Sequence, residues 1–190
     1  VNIAAPTVID RIDIALAMTG TIVKDVTQTQ LAQPSLCAGW DLRTELNHLV
    51  GGMRIFAAEL TATDPGGEHH DDWLGSDHRT AFTTAADLDH AAWHRPDALD
   101  TTIRLGFGAV PGPLGAVIHL AEVLVHGIDI AVVTDQQHRI DQDACEHLLN
   151  TVRAMDFDVF RGPGLFDPQQ PAPTDAAAHL RLLAFLGRPL

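Results

Sequence analysis

The segment from Leu114 to Val133 is apolar almost all round, yet it carries His119, Glu122, His126 and Asp129. A helix that is hydrophobic on every side must be buried. At about 100° per residue the four ionisable side chains fall within roughly 80° of one another. A narrow ionisable stripe on a buried helix carries a high desolvation cost unless it is paired or holds a metal. Glu122 and His126 stand at i and i+4, where two side chains converge on one ion. Histidine and carboxylate are also ordinary zinc ligands. Two such residues alone would fit a solvated groove, or Glu122 paired with a protonated His126. Four on one stripe favour the metal, whose third protein ligand must come from another helix.

The rest of the chain supplies the helices for this one to be buried against. A first helix starts at Thr7, with Thr7 and Asp10 in capping-box spacing. Its apolar face is Ile9, Ile12, Leu16, Val23 and Val26, with Thr19 the polar exception. A second starts at Asp41, a natural N-cap, and its apolar positions Leu42, Leu46, Leu49, Met53, Phe56 and Leu60 alternate by four and three, as in a bundle. A third is expected from about Ser76 to Trp93, ended by Arg95-Pro96. Thr101 to Leu105 alternates and leaves room for a short strand or hairpin. A fifth helix is expected from Asp141 to about Phe160. After a Gly162 to Pro173 loop, a short last helix runs from Thr174 to Gly187-Arg188-Pro189. The expected fold class is all-α in the main. It is one domain over 1–190, a four-helix bundle with a short strand or hairpin and a short C-terminal helix.

His48 is the best candidate for the third ligand. It lies on the second helix, off the apolar stripe, in Asn47-His48-Leu49-Val50-Gly51-Gly52. The two glycines would let another backbone or a ligand approach closely. His90 and His94 are also i and i+4, but they sit where a helix C-terminus favours histidine anyway; they read as surface or capping residues. His69, His70 and His78 lie in or beside a loop and rank below His48.

Composition excludes several classes. The net charge is −13, from 12 basic against 25 acidic residues, so nucleic acid and anionic membrane are not expected partners. The longest uncharged stretch, Leu105 to Ala121, contains Pro111, Pro113 and several glycines and is not expected to span a bilayer. Two cysteines make no disulfide framework and no zinc-finger spacing. Asp10, Arg11 and Asp13 interrupt the N-terminus before a signal sequence could form, and a reduced, cytoplasmic protein is expected. Cys37 and Cys145 read as small buried hydrophobes, with a reactive Cys37 near a helix N-terminus as the alternative.

Two stretches also resemble known signatures. Cys37-Ala38-Gly39-Trp40-Asp41 with Asn47-His48-Leu49-Val50-Gly51-Gly52, and Glu122-Val123-Leu124-Val125-His126-Gly127-Ile128-Asp129-Ile130, resemble the DinB-like metalloprotein superfamily. They are most similar to its actinobacterial branch, related to the N-terminal domain of mycothiol-dependent maleylpyruvate isomerase. The ending, Asp167-Pro168 through Leu183-Ala184-Phe185-Leu186-Gly187-Arg188, is similar too. The resemblance implies a four-helix bundle with one divalent metal near one end. It implies His48, Glu122 and His126 as the ligands and zinc as the usual ion; nickel, manganese or iron suit the same donors. Asp129 matches a carboxylate that orients a ligand by hydrogen bond. His119 matches no family role and is left as a pocket-lining group or proton shuttle.

The function this implies is a metal-dependent thiol S-transferase. A low-molecular-weight thiol, mycothiol by resemblance, would attack an electrophilic small molecule. The family's isomerase has a further C-terminal domain that contributes to its active site, while this sequence stops soon after the bundle, so thiol transfer is expected rather than maleylpyruvate isomerisation. The alternatives are a metal-dependent hydrolase, which would act without any thiol, and a non-catalytic metal-binding bundle. The sequence leaves the electrophile open, and pairing into a homodimer is compatible with a bundle of this size.

Overall fold

Thr7 builds the capping box that starts α1 (Val8–Asp25): its hydroxyl accepts from Asp10 N, and the Asp10 carboxylate accepts from Thr7 N at 2.7 Å. Asp41 does the same work for α2 (Leu42–Thr61), its carboxylate taking Thr44 N at 2.8 Å. Asp77 caps α3 (His78–Trp93), one residue beyond the predicted start. These elements belong to a computed structural model that describes residues 5–162 and 166–189. Residues 163–165 of the predicted Gly162 to Pro173 loop lie outside it.

The alternating run becomes a two-stranded antiparallel hairpin. β1 (Thr102–Leu105) pairs with β2 (Gly108–Pro111), with Ile103 opposite Val110. Gly106 and Phe107 form its tip, and Gly108 has φ +137°, open to glycine alone at little cost. The chain passes from β2 straight into α4 (Gly112–Val133), whose first residue lies against the Leu99 carbonyl so closely that a Cβ there would stand 2.4 Å from the oxygen.

By length and composition α4 could cross a bilayer. Here its apolar surface is taken up by protein. The four long helices form a ring of neighbours, α1 on α4, α4 on α2, α2 on α3 and α3 on α1. The tightest seam joins α1 and α4. Thr19, the polar exception on α1, is fully buried, and its hydroxyl donates to the Val123 carbonyl at 3.2 Å. A Cβ on Gly127 would lie 2.1 Å from that hydroxyl, so glycine lets the two helices touch.

Two boundaries differ from the sequence expectation. α5 (Gln142–Arg153) stops before the predicted Phe160. Asp156 leaves helical geometry, and a 3-10 turn at Phe157–Phe160 brings Phe157 within 5.0–5.6 Å, ring to ring, of Phe160, Phe166 and Phe185. Burying that aromatic cluster outweighs continued helix. α6 (Ala178–Phe185) starts after the predicted Thr174. Arg181 donates to the Ala176 carbonyl and pairs with Glu146 of α5, which holds the preceding segment off the helix. α6 packs on α5, and Gly187 turns the chain back at φ +83°.

Candidate metal centre

α2 and α4 run side by side and bring His48, Glu122 and His126 together. His48 Nε2 lies 2.9 Å from Glu122 Oε2, and His126 Nε2 lies 3.5 Å from the same oxygen. One ligand atom from each of the three falls within 4.8 Å of the others. His126 is buried, while His48 and Glu122 keep partial access to solvent. Trp40, in the loop before α2, packs over both imidazoles, with ring centroids 5.1 Å from His48 and 6.2 Å from His126.

Behind His126 stands Glu45, fully buried on α2, whose Oε1 lies 2.8 Å from His126 Nδ1. Its other oxygen accepts from the Ser35 hydroxyl at 2.7 Å. Burial opposes ionisation of Glu45, but the hydrogen bond and charge of His126 and the hydrogen bond from Ser35 overcome it and hold its pKa below the usual carboxylate value. Nδ1 therefore carries the proton given to Glu45, and Nε2 is the nitrogen turned toward Glu122 and His48. A carboxylate that fixes the tautomer of a ligating imidazole is a recurrent feature of metal sites. Two imidazoles and a carboxylate are also a donor set suited to zinc and its neighbours. The residues present fit a divalent ion.

Without an ion the same groups pair with one another. Burial works against a charged Glu122, yet hydrogen bonds from His126 and His48 hold its carboxyl well below the usual value. For His126 burial favours the neutral ring, and the bonds to Cys37, Glu122 and Glu45 together raise its pKa well above 6.5. A cation held by these residues would have to displace the proton between Nε2 and Glu122.

Asp129 is fully buried, and its Oδ2 lies 3.9 Å from His126 Nδ1. The same oxygen accepts from Arg188 Nε at 2.9 Å. Burial, opposed by Arg188 and assisted by the Glu45 charge, pushes its pKa up to about 7. Glu45 rather than Asp129 makes the short bond to His126; Asp129 anchors the C-terminal arm beside it. Cys37 is a correction to the sequence reading. It is half-buried and not packed as a hydrophobe, with Sγ 3.7 Å from Glu45 and Asp129 and 3.9 Å from His126. Burial raises its pKa, so it stays a thiol near neutrality. Cys145 is fully buried.

Sequence reasoning missed Glu45 and Arg188. Glu45 had a signal: it interrupts the buried face between Leu42 and Leu49, yet it also sits in a first helical turn, where an acid is unremarkable. Arg188 had only its place in the C-terminal stretch that resembles the family, which gave it no role.

His119 shares the α4 stripe but not the cluster. Its Nε2 lies 2.8 Å from Asp89 of α3, both fully buried, with Phe56 and Trp93 on its ring faces at 4.4 and 5.6 Å. It forms part of the wall of a cavity beside the metal centre. His90 and His94 are not simple caps, because Asp13 of α1 meets both imidazoles at 2.8 Å on the molecular surface. His69 lies over His48, 5.0 Å between ring centroids.

The chain is 29% identical over 168 residues to an uncharacterized protein of Mycobacterium tuberculosis, matched in two strains, covering 88% of this chain and 90% of the relative. The crystal structure of the mycothiol-dependent maleylpyruvate isomerase superposes with a TM-score of 0.56 at 13% identity, over 75% of this chain and 68% of that one. A mutant of that isomerase superposes with a TM-score of 0.55. The family model for the mycothiol maleylpyruvate isomerase N-terminal domain matches residues 13–131, from the middle of α1 to the end of the α4 stripe. The chain belongs to the mycothiol maleylpyruvate isomerase N-terminal domain family.

Proposed function

We propose that the protein is a metal-dependent thiol S-transferase that joins a low-molecular-weight thiol, mycothiol by family, to an electrophilic small molecule in the reduced cytoplasm. His48, Glu122 and His126 would hold the ion, zinc by preference. The observation that carries this reading is the Glu45–His126 bond of 2.8 Å, which aims Nε2 at the place where His48 and Glu122 also point. An ion held by these three residues would supply Lewis acidity that favours the deprotonated form of a thiol at neutral pH.

The chain's own residues do the rest. Glu45 keeps His126 in one tautomer and is itself kept in place by Ser35. Trp40 walls off one side of the two imidazoles. Arg188 neutralises Asp129, so the floor of the site does not add an uncompensated negative charge against an incoming thiolate. Cys37, held as a neutral thiol, does not compete as nucleophile. The thiol proton leaves to solvent, the sulfur–carbon bond forms, and the carbon's bond to the leaving group breaks, the leaving group departing with the electron pair.

The test is conjugation of chlorodinitrobenzene by zinc-loaded protein with mycothiol. Thiol-dependent chloride release that disappears in His48→Ala is the expected result. Turnover of ester substrates without thiol would replace this reading with hydrolysis.

A further inference from the structure

Two cavities meet at the candidate metal centre, and His48 and Glu122 are the residues that line both. They differ in degree, the second being the more apolar. One, of about 740 Å³, is walled by Ser35, Gln170 and Arg188 beside Leu36, Val125 and Phe166. The other, of about 540 Å³, lies between α2, α4 and the hairpin, against Met53, Phe56, Leu105, Phe107 and Ile118, with His69, His70, Arg104 and His119 also in its wall. Both sizes are ordinary for small-molecule sites.

Gly51 and Gly52 separate the two explanations a helical glycine can have. A Cβ on Gly51 would lie 2.6 Å from the Trp73 indole, so packing requires glycine there. Among the described residues a Cβ on Gly52 would meet nothing within 4 Å, and Gly52 lines the apolar cavity. A glycine inside a helix weakens it relative to alanine. Here no neighbour accounts for that loss, and what the missing side chain leaves clear is the cavity. Phe107, at the hairpin tip and 64% exposed, stands at its mouth with Arg104.

We propose that the apolar cavity is the subsite for the electrophile and that its substrates are predominantly apolar small molecules, while the thiol enters through the larger cavity on the other side of His48 and Glu122. This rests on the transferase reading. The thiolate sulfur would attack the electrophilic carbon from that other side; with chlorodinitrobenzene the sulfur–carbon bond forms, the carbon–chlorine bond breaks and chloride leaves with the electron pair.

The experiment uses zinc-loaded wild type, Gly52→Leu and Ile118→Trp, each checked for folding by its melting curve. Anilinonaphthalene sulfonate reports occupancy of the apolar cavity by fluorescence. Steady-state kinetics with mycothiol and chlorodinitrobenzene report the two KM values separately. Both substitutions should weaken probe binding at least tenfold and raise the electrophile KM by a similar factor, with the thiol KM within twofold of wild type. Unchanged probe affinity and electrophile KM in the folded variants would overturn the assignment while leaving the transferase intact. Probe binding lost in the variants, with no thiol-dependent turnover in the wild type, would overturn the transferase reading instead.

Discussion

Glu45 does for the site what its position in the sequence does not announce. It is a fully buried carboxylate whose short bond to His126 decides which nitrogen faces Glu122 and His48. Glu45→Gln keeps the shape and removes the charge. Removing such a partner typically costs about 10–100-fold in metal affinity, and competition against a chromophoric chelator should give a loss in that range. Affinity equal to wild type would mean that Glu45 only fills space.

The titrations of neighbouring residues set the pH behaviour of the metal-free protein. His126 and Asp129 both have folded pKa values above their unfolded ones. The Asp129 contribution is complete below about 4 and is lost by about pH 7, while that of His126 is complete below about 6.5 and is lost as pH rises through its raised folded value. Glu122 is depressed, so its contribution is present above about 4.5 and lost as pH falls below that. The melting temperature should therefore peak in mildly acidic solution and fall toward pH 8, and Asp129→Asn should flatten that fall between about pH 4 and 7. Because the cation displaces the His126 proton, the stabilisation given by added zinc should grow over the same rise in pH. A stability maximum at pH 8 without metal would contradict this. Of these residues, Glu122, His126 and Asp129 were legible because four polar groups stood on one apolar helix. Glu45, Cys37 and Arg188 were not, because a first-turn acid, a lone cysteine and a terminal arginine each have an ordinary local explanation.

At the scale of elements, the helices follow from periodicity and caps, and the departures follow from long-range packing. Thr7, Asp41 and Asp141 start their helices as their side chains dictate. The end of α5 could not be read locally, because it is set by Phe166 and Phe185, distant in the chain. The α1–α4 seam gives a direct test. Gly127→Ala places a methyl group against Thr19, and overpacking of this kind costs about 1–3 kcal/mol; chemical denaturation should show it, and an unchanged midpoint would mean the helices have slack. The C-terminal arm gives another. A Cβ on Gly187 would lie 2.5 Å from the Asp167 carbonyl oxygen, and the turn it permits delivers Arg188 to Asp129. Arg188→Ala leaves a buried carboxylate without its cation and should destabilise by about 3 kcal/mol at pH 8. The loss should be smaller at pH 5, where Asp129 holds a proton.

On the scale of the whole molecule, one buried helix organises fold and site together. α4 is apolar enough to be enclosed by α1 and α2, and its polar stripe is divided by that enclosure. His119 goes to Asp89 of α3, Glu122 and His126 to His48 and Glu45 of α2, and Asp129 to Arg188 of the C-terminal arm. The stripe predicted one cluster; three-dimensional packing makes a polar network with a separate His119–Asp89 pair beside it. The chain carries a net charge of −13, and its partly open pocket gathers His48, His126 and Arg188.

Whether His48, Glu122 and His126 hold a divalent ion is decided by elemental mass spectrometry of protein purified without a histidine tag or chelator, beside His126→Ala and His90→Ala. Close to one divalent ion per chain is expected in the wild type, with its loss in His126→Ala and its retention in His90→Ala. No metal in the wild type, or metal that survives His126→Ala, would contradict that expectation.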